Sequence, residues 1–176
     1  MTKRQEFEVY QTFSDFEIRD YLPCVIAEVR VDGDYSRATS SAFGSLFAYI
    51  SQGNKSSEKI AMTAPVIAAQ HGDQDNSNTW FVSFVMPSGS TMGRMPDPNN
   101  SQVKLRELGR EKCAVISFKG RATAELSAKK VAELRASAAK ANISLSDETR
   151  ICRFDPPFKP GFLHYNEIVI PLSVQN

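Results

Sequence analysis

The sequence predicts an α+β fold in which two pseudo-symmetric strand-strand-helix-strand-strand repeats form a distorted antiparallel β-barrel flanked by two helices. Three observations predict it. Apolar and polar residues alternate with period two in several short segments, two stretches between them carry apolar residues at helical spacing, and the sequence matches itself at an offset of 87 residues.

The strands come first. Phe16, Ile18 and Tyr21 alternate with polar neighbours, as do Val25, Ala27, Val29 and Val31, and later Ala114, Ile116 and Phe118. The first helix is expected near 35–51, because Phe43, Leu46, Phe47 and Ile50 share one face, Asp34 is placed to cap its start, and Gly53 stops it. The second is expected near 124–141 from Val131, Leu134 and Ala138, ending near Asn142. The first helix is much the more aromatic of the two.

At the 87-residue offset, FEIRDY (16–21) falls on VKLREL (103–108), Arg19 on Arg106 and Gly33 on Gly120. The first helix falls on the second, and TWFVSF (79–84) falls on NEIVIP (166–171). Several matches in one register imply a duplicated unit within a single domain, 1–176, with repeat one at about 7–87, a linker at about 88–101 and repeat two at about 102–172. The linker, SGSTMGRMPDPNN (88–100), is rich in Gly, Pro and polar residues and reads as a hinge or rim loop.

Composition excludes several classes of function. With 176 residues the chain is long enough to bury a sizeable core. A formal charge of +1 lacks the basic excess that a phosphate backbone demands, so no nucleic-acid partner is expected. The start, MTKRQEFEVYQ, has no apolar run behind its basic residues, and no later segment is long enough to span a bilayer, so a cytoplasmic protein is expected. Cys24, Cys113 and Cys152 show no Cys-x-x-Cys spacing and read as small core residues. The pattern His-x-Asp-x-Asp beginning at His71 suggests a metal site only superficially; a solvated hairpin loop is the simpler reading. Oligomeric state is not legible.

The stretch EKIAMTAPV (58–66) begins like a buried strand and then meets a thioether, a hydroxyl and a proline. Proline cannot donate to a central sheet ladder, so Ala64-Pro65 is expected at a strand edge, bulge or kink. This stretch, together with FEIRDYLP (16–23), YISQGN (49–54) and FDPPFKPGFLHYNEIVIPL (154–172), resembles the SOUL haem-binding protein family, in order and over nearly the whole chain. The resemblance implies a barrel of two pseudo-symmetric halves that binds haem or another tetrapyrrole on an apolar surface beside the first helix. The matching positions are Phe43 and Phe47 on that helix and Lys159 in the proline-rich loop.

This chain departs from the family pattern in two places. Where some members carry a histidine proposed as iron ligand, this sequence has Asp20, and a carboxylate is a poor substitute for imidazole on haem iron. Ser40 and Ala48 stand at aligned basic positions, leaving Arg37 as the only cation of the first helix. His164 lies beside the loop that the resemblance places near the ligand, and is the axial-ligand candidate against the ordinary reading of a rim histidine. Met62 reads first as a core filler and second as a pocket wall. Phe158, with Phe154 and Phe162, makes the proline-rich segment aromatic enough to fold over the core or close on a groove. The candidate binding set is therefore Arg37, Phe43, Phe47, Met62, Phe158, Lys159 and His164.

Burying roughly 350 Å² of porphyrin at about 25 cal/mol per Å² contributes about 9 kcal/mol, and immobilisation takes back at least about 4 kcal/mol. Apolar contact alone thus reaches roughly millimolar affinity, and micromolar binding needs a further 3–4 kcal/mol, roughly, from the propionates or the iron. No nucleophile elbow, phosphate-cradling loop or dinucleotide fingerprint is present, so a non-enzymatic carrier, buffer or scavenger is expected. The same duplicated architecture also resembles GyrI-type small-molecule-binding modules, and an enzyme acting on tetrapyrroles is the remaining alternative.

Overall fold

Asp34 opens the first helix: its Oδ1 accepts a 2.9 Å hydrogen bond from the backbone N–H of Arg37. The helix α1 runs Tyr35–Ile50 and ends where the Gly53 N–H donates to Ala48 O. A Cβ at position 53 would stand 2.4 Å from that same oxygen, so the close approach requires glycine. The second helix, α2, spans Ala124–Lys140, is capped by the Thr123 hydroxyl and is followed by Asn142 at φ +59°. Both helices fall within two residues of the positions their spacing implied.

The computed structural model describes residues 3–72, 78–156 and 158–174. Its strands are β1 Lys3–Arg4, β2 Phe7–Thr12, β3 Glu17–Tyr21, β4 Cys24–Asp32, β5 Thr63–Gln70, β6 Thr79–Val85, β7 Lys104–Leu108, β8 Glu111–Lys119, β9 Thr149–Arg153 and β10 Tyr165–Pro171. They form one sheet in the order β2-β3-β8-β10-β9-β5-β6-β4-β7, antiparallel throughout, with β1 added in parallel to β5. The path ends at β2 and β7 without joining them, so the barrel is a curled half-barrel.

The sheet has a central seam, β5 against β9, from which the order runs β6-β4-β7 one way and β10-β8-β3 the other. Strands β3 and β7, like β4 and β8, begin 87 residues apart and lie equally far from the seam. Helix α1 packs on β4 and β6, and α2 on β8 and β10. Pro65 falls in the irregular pairing between Thr63 and Val66, where one edge of β5 passes from β1, at Thr63 and Ala64, to β9, from Val66 onward.

Alternation divides the core in two. On the helix-covered face lie Leu46 and Tyr49 of α1, Phe84, Leu134, Ile168 and Ile170. On the helix-free face lie Tyr21, Ile26, Ile67, Val85, Cys113, Val115, Cys152 and Val169. Cys113 and Cys152 are buried free thiols and Cys24 is a half-buried one; burial pushes Cys113 up to about 12, so it packs as a neutral group. Strands β1 and β2 had no place in the sequence reading, and β9, a strand that the repeat implied after the second helix, was not located in it. β2 is largely exposed along its length and shows no buried alternation, and β9 places Arg150 and Arg153 on either side of Ile151 and Cys152, so its pattern looks polar.

Candidate functional site

The spacing that makes α1 amphipathic leaves part of its aromatic stripe outside the core. The Phe43 and Phe47 rings stack at 5.9 Å and 12°, and Phe43 meets Phe84 edge-on at 5.3 Å. Phe47 stays 49% exposed and Met62, just before β5, 41% exposed, which is large for apolar side chains with a core at hand. This face offers a flat apolar wall.

The floor beside that wall is a cross-strand row. Phe84 pairs with Val66, Val66 with Arg153, and Arg153 with Asn166. At the usual spacing of about 4.8 Å between strands, Arg153 stands roughly 10 Å across the sheet from Phe84. Its guanidinium carbon lies 5.9 Å from the Tyr35 ring, which in turn packs 5.2 Å from Trp80. Sequence reasoning missed Arg153 because the strand carrying it was missed.

The proline-rich loop is organised by Asp155. Its Oδ1 accepts from Lys159 Nζ at 2.7 Å and its Oδ2 from the Tyr165 N–H at 2.6 Å. The Lys159 bond, then the backbone bond, hold this carboxyl below the usual range. A depressed folded-state pKa stabilises the loop above the ordinary carboxylate range and that contribution is lost as pH falls through the folded value. Acidification below the ordinary carboxylate range should therefore shift the Tyr165 amide resonance with the protonation of Asp155, and Asp155→Asn should abolish that titration; an unchanged titration in the variant would contradict the assignment.

His164 Nε2 lies 2.7 Å from the Lys159 carbonyl oxygen, an acceptor, so Nε2 carries the proton and only Nδ1 is left for a metal. Phe158 is 88% exposed and covers nothing. Arg37 is exposed and faces Asp34 at 3.9 Å. Among the described residues, no hydrogen bond, ion pair or ring contact joins Phe158, Lys159 or His164 to Phe43, Phe47 or Met62. The structure thus brings Phe43 and Phe47 together and leaves the loop candidates as a separate, internally bonded group. Asp20 is gripped by Arg110 through contacts of 3.1–3.2 Å and would have to give that up to meet iron. Iron ligation through Asp20 does not fit this pairing. The His71 ring lies edge-on to Phe81 at 5.4 Å, while Asp73 and Asp75 lie outside the described residues.

A second constellation occupies the helix-free face. Glu167, 1% exposed, accepts at Oε1 from Arg19 Nη1 (2.9 Å) and Arg4 Nη2 (3.0 Å), and at Oε2 from the Tyr165 hydroxyl (2.6 Å). Arg19 also donates to Glu17 Oε1 and to the Tyr21 hydroxyl, whose pKa burial raises. Phe7 lies beneath both guanidinium groups, at 4.7 Å from Arg4 and 4.1 Å from Arg19. Nearby in the sheet, Arg150 is held by Glu111 at 2.5 Å and Glu148 at 3.0 Å. Distant in the sequence for the most part, these groups converge as matched ion pairs.

The family model described as SOUL heme-binding protein matches residues 2–171. No curated protein sequence matches the chain closely enough to count as a relative. Among solved structures, a hydrolase from Listeria innocua superposes with a TM-score of 0.60 at 14% identity, over 93% of this chain and 94% of that one. The EcmrR C-terminal domain superposes with a TM-score of 0.66 at 13% identity, over 90% and 96%. SAV2435 bound to tetraphenylphosphonium superposes at 0.53 and 10% identity, over 90% and 94%. At these identities the likeness is one of fold. Among the described residues, no helix is long and apolar enough to cross a membrane.

Proposed function

The chain belongs to the SOUL heme-binding protein family, and on that premise we propose that it binds haem or another tetrapyrrole against the apolar wall beside α1, as a carrier, buffer or scavenger in the cytoplasm. The observation that carries this reading is the stacked Phe43–Phe47 pair with Phe47 half exposed. An aromatic side chain held flat at the surface gives a planar macrocycle area to cover without any rearrangement of the core. The 87-residue spacing of matching strands supports reading the scaffold as two copies of one unit joined by a linker at about 88–101.

Absorbance titration with haemin and with metal-free protoporphyrin IX tests it. Saturable spectral change is expected with both, because the wall does not depend on iron. Phe47→Ser should weaken both by roughly tenfold, the equivalent of losing about half a buried aromatic face, while leaving thermal stability unchanged. No saturable change with either porphyrin ends the proposal. Unaltered porphyrin after prolonged incubation separates a carrier from a tetrapyrrole-processing enzyme.

A second reading, a GyrI-like module for assorted amphipathic molecules, draws on the fold shared with SAV2435 and EcmrR. A lipophilic cation such as tetraphenylphosphonium would need a buried carboxylate to balance it, and the buried Glu167 is already matched by two arginines. That favours the tetrapyrrole, and a stronger thermal shift with tetraphenylphosphonium than with protoporphyrin would reverse the preference.

A further inference from the structure

We propose that Arg153 and Tyr35 form an anion subsite that takes a carboxylate of the ligand lying along α1, an inference that rests on the tetrapyrrole reading above. The first ground is charge. The other arginines that the fold buries or half-buries in its sheet, Arg4, Arg19 and Arg150, each meet a carboxylate within 3.0 Å. Arg153 is partly buried, yet among the described residues its side chain makes no ion pair and no hydrogen bond, and its guanidinium carbon lies 5.9 Å from the Tyr35 ring. Its guanidinium nitrogens are not among the buried unpartnered atoms, so its five donors, which no protein acceptor occupies, stay open to an incoming carboxylate.

The second ground is independent of the first. Tyr35 is 8% exposed, and its hydroxyl is buried with no hydrogen-bond partner. Buried hydroxyls are almost always satisfied, and an orphan one beside an unpaired guanidinium points to a missing acceptor. Burial raises the Tyr35 pKa, so the hydroxyl remains a donor across the physiological range. Tyr35 is also the first residue of α1, where the helix end favours negative charge, and the capping acid, Asp34, is already spent on the Arg37 N–H.

Position links the pair to the apolar wall. Tyr35 and Phe43 are eight residues apart on one helix, about 12 Å along its axis. Arg153 lies in the cross-strand row that runs through Val66 to Phe84, on which Phe43 stands. An amphiphile with a flat apolar body and carboxylates on one edge can therefore lay its body on Phe43 and Phe47 and its charged edge at Arg153 and Tyr35. Arg37 and Lys159, the cations that sequence reasoning offered for this role, both already face an aspartate.

The test compares protoporphyrin IX with its dimethyl ester, which keeps the ring and removes both negative charges, on the unsubstituted protein, Arg153→Met and Tyr35→Phe. The unsubstituted protein should bind the free acid more tightly than the ester. Arg153→Met should weaken the acid by at least about tenfold and Tyr35→Phe by about three- to tenfold, with ester binding unchanged in both. Equal affinity of all three proteins for the acid, or an equal loss for acid and ester, overturns the subsite while leaving the tetrapyrrole reading intact. Failure of the unsubstituted protein to bind either porphyrin overturns that reading, and the subsite with it. If Arg153→Met does not fold, Tyr35→Phe, which removes a single oxygen atom, decides the matter alone.

Discussion

Replacing Glu167 by glutamine is expected to lower the free energy of unfolding by about 3–5 kcal/mol, the usual cost of leaving a buried charge without its partner. Glu167 neutralises Arg19 and Arg4 at one oxygen, and its other oxygen accepts from Tyr165. Glutamine keeps the shape but removes the charge, and its amide group presents donors where the two guanidinium groups already present theirs. Urea denaturation should show the midpoint falling by about 2 M at an m-value of about 2 kcal/mol/M. A triple variant, Glu167→Leu with Arg4→Met and Arg19→Met, should recover most of the loss, because replacing the whole buried pairing with apolar groups removes the desolvation cost together with the attraction. A Glu167→Gln midpoint within experimental error of the parent would mean that water screens the cluster.

The second large effect separates two neighbours on α1. Leu46 is fully buried against the sheet, while the adjacent Phe47 is half exposed. Leu46→Ala should destabilise the protein by about 2–5 kcal/mol through lost contact and a residual cavity, and should leave the porphyrin affinity of the folded fraction nearly unchanged. Phe47→Ser should do the reverse. Measuring urea midpoint and porphyrin affinity on both variants gives four numbers, and the claim that α1 has a structural face and a ligand face fails if both substitutions move both quantities together.

Much of the scaffold was legible because it rests on local periodicity. Asp34 and Gly53 bracket α1, and the strands around Ile18, Val25 and Ala114 carry an apolar residue at every second position because one face meets the helix layer, with Ile26 and Val115 added between them for the opposite face. β9 was not located for a physical reason: Arg150 and Arg153 stand in a strand whose polar positions are buried or half buried, and Arg150 is matched by Glu111 of β8, 39 positions away, as well as by the neighbouring Glu148. Long-range pairing of that kind leaves no period in the sequence. The candidate site was legible in its apolar half, since Phe43 and Phe47 follow from helical spacing and from the family resemblance. Its polar half was not. Tyr35 and Arg153 are 118 positions apart in the chain, and only the folded sheet brings them into register.

The seam of the sheet has a consequence for how this molecule matures. Val66 and Arg153 face each other across β5 and β9, strands about half the chain apart, and pairing between such distant segments slows folding. Neither half of the polypeptide alone carries both Phe47 and Arg153, so a nascent chain has no complete binding surface until its last strands have docked. A ligand that prefers the finished surface would then act as a clamp across the two halves, drawing the population away from partly assembled forms and making porphyrin capture a reporter of completed folding.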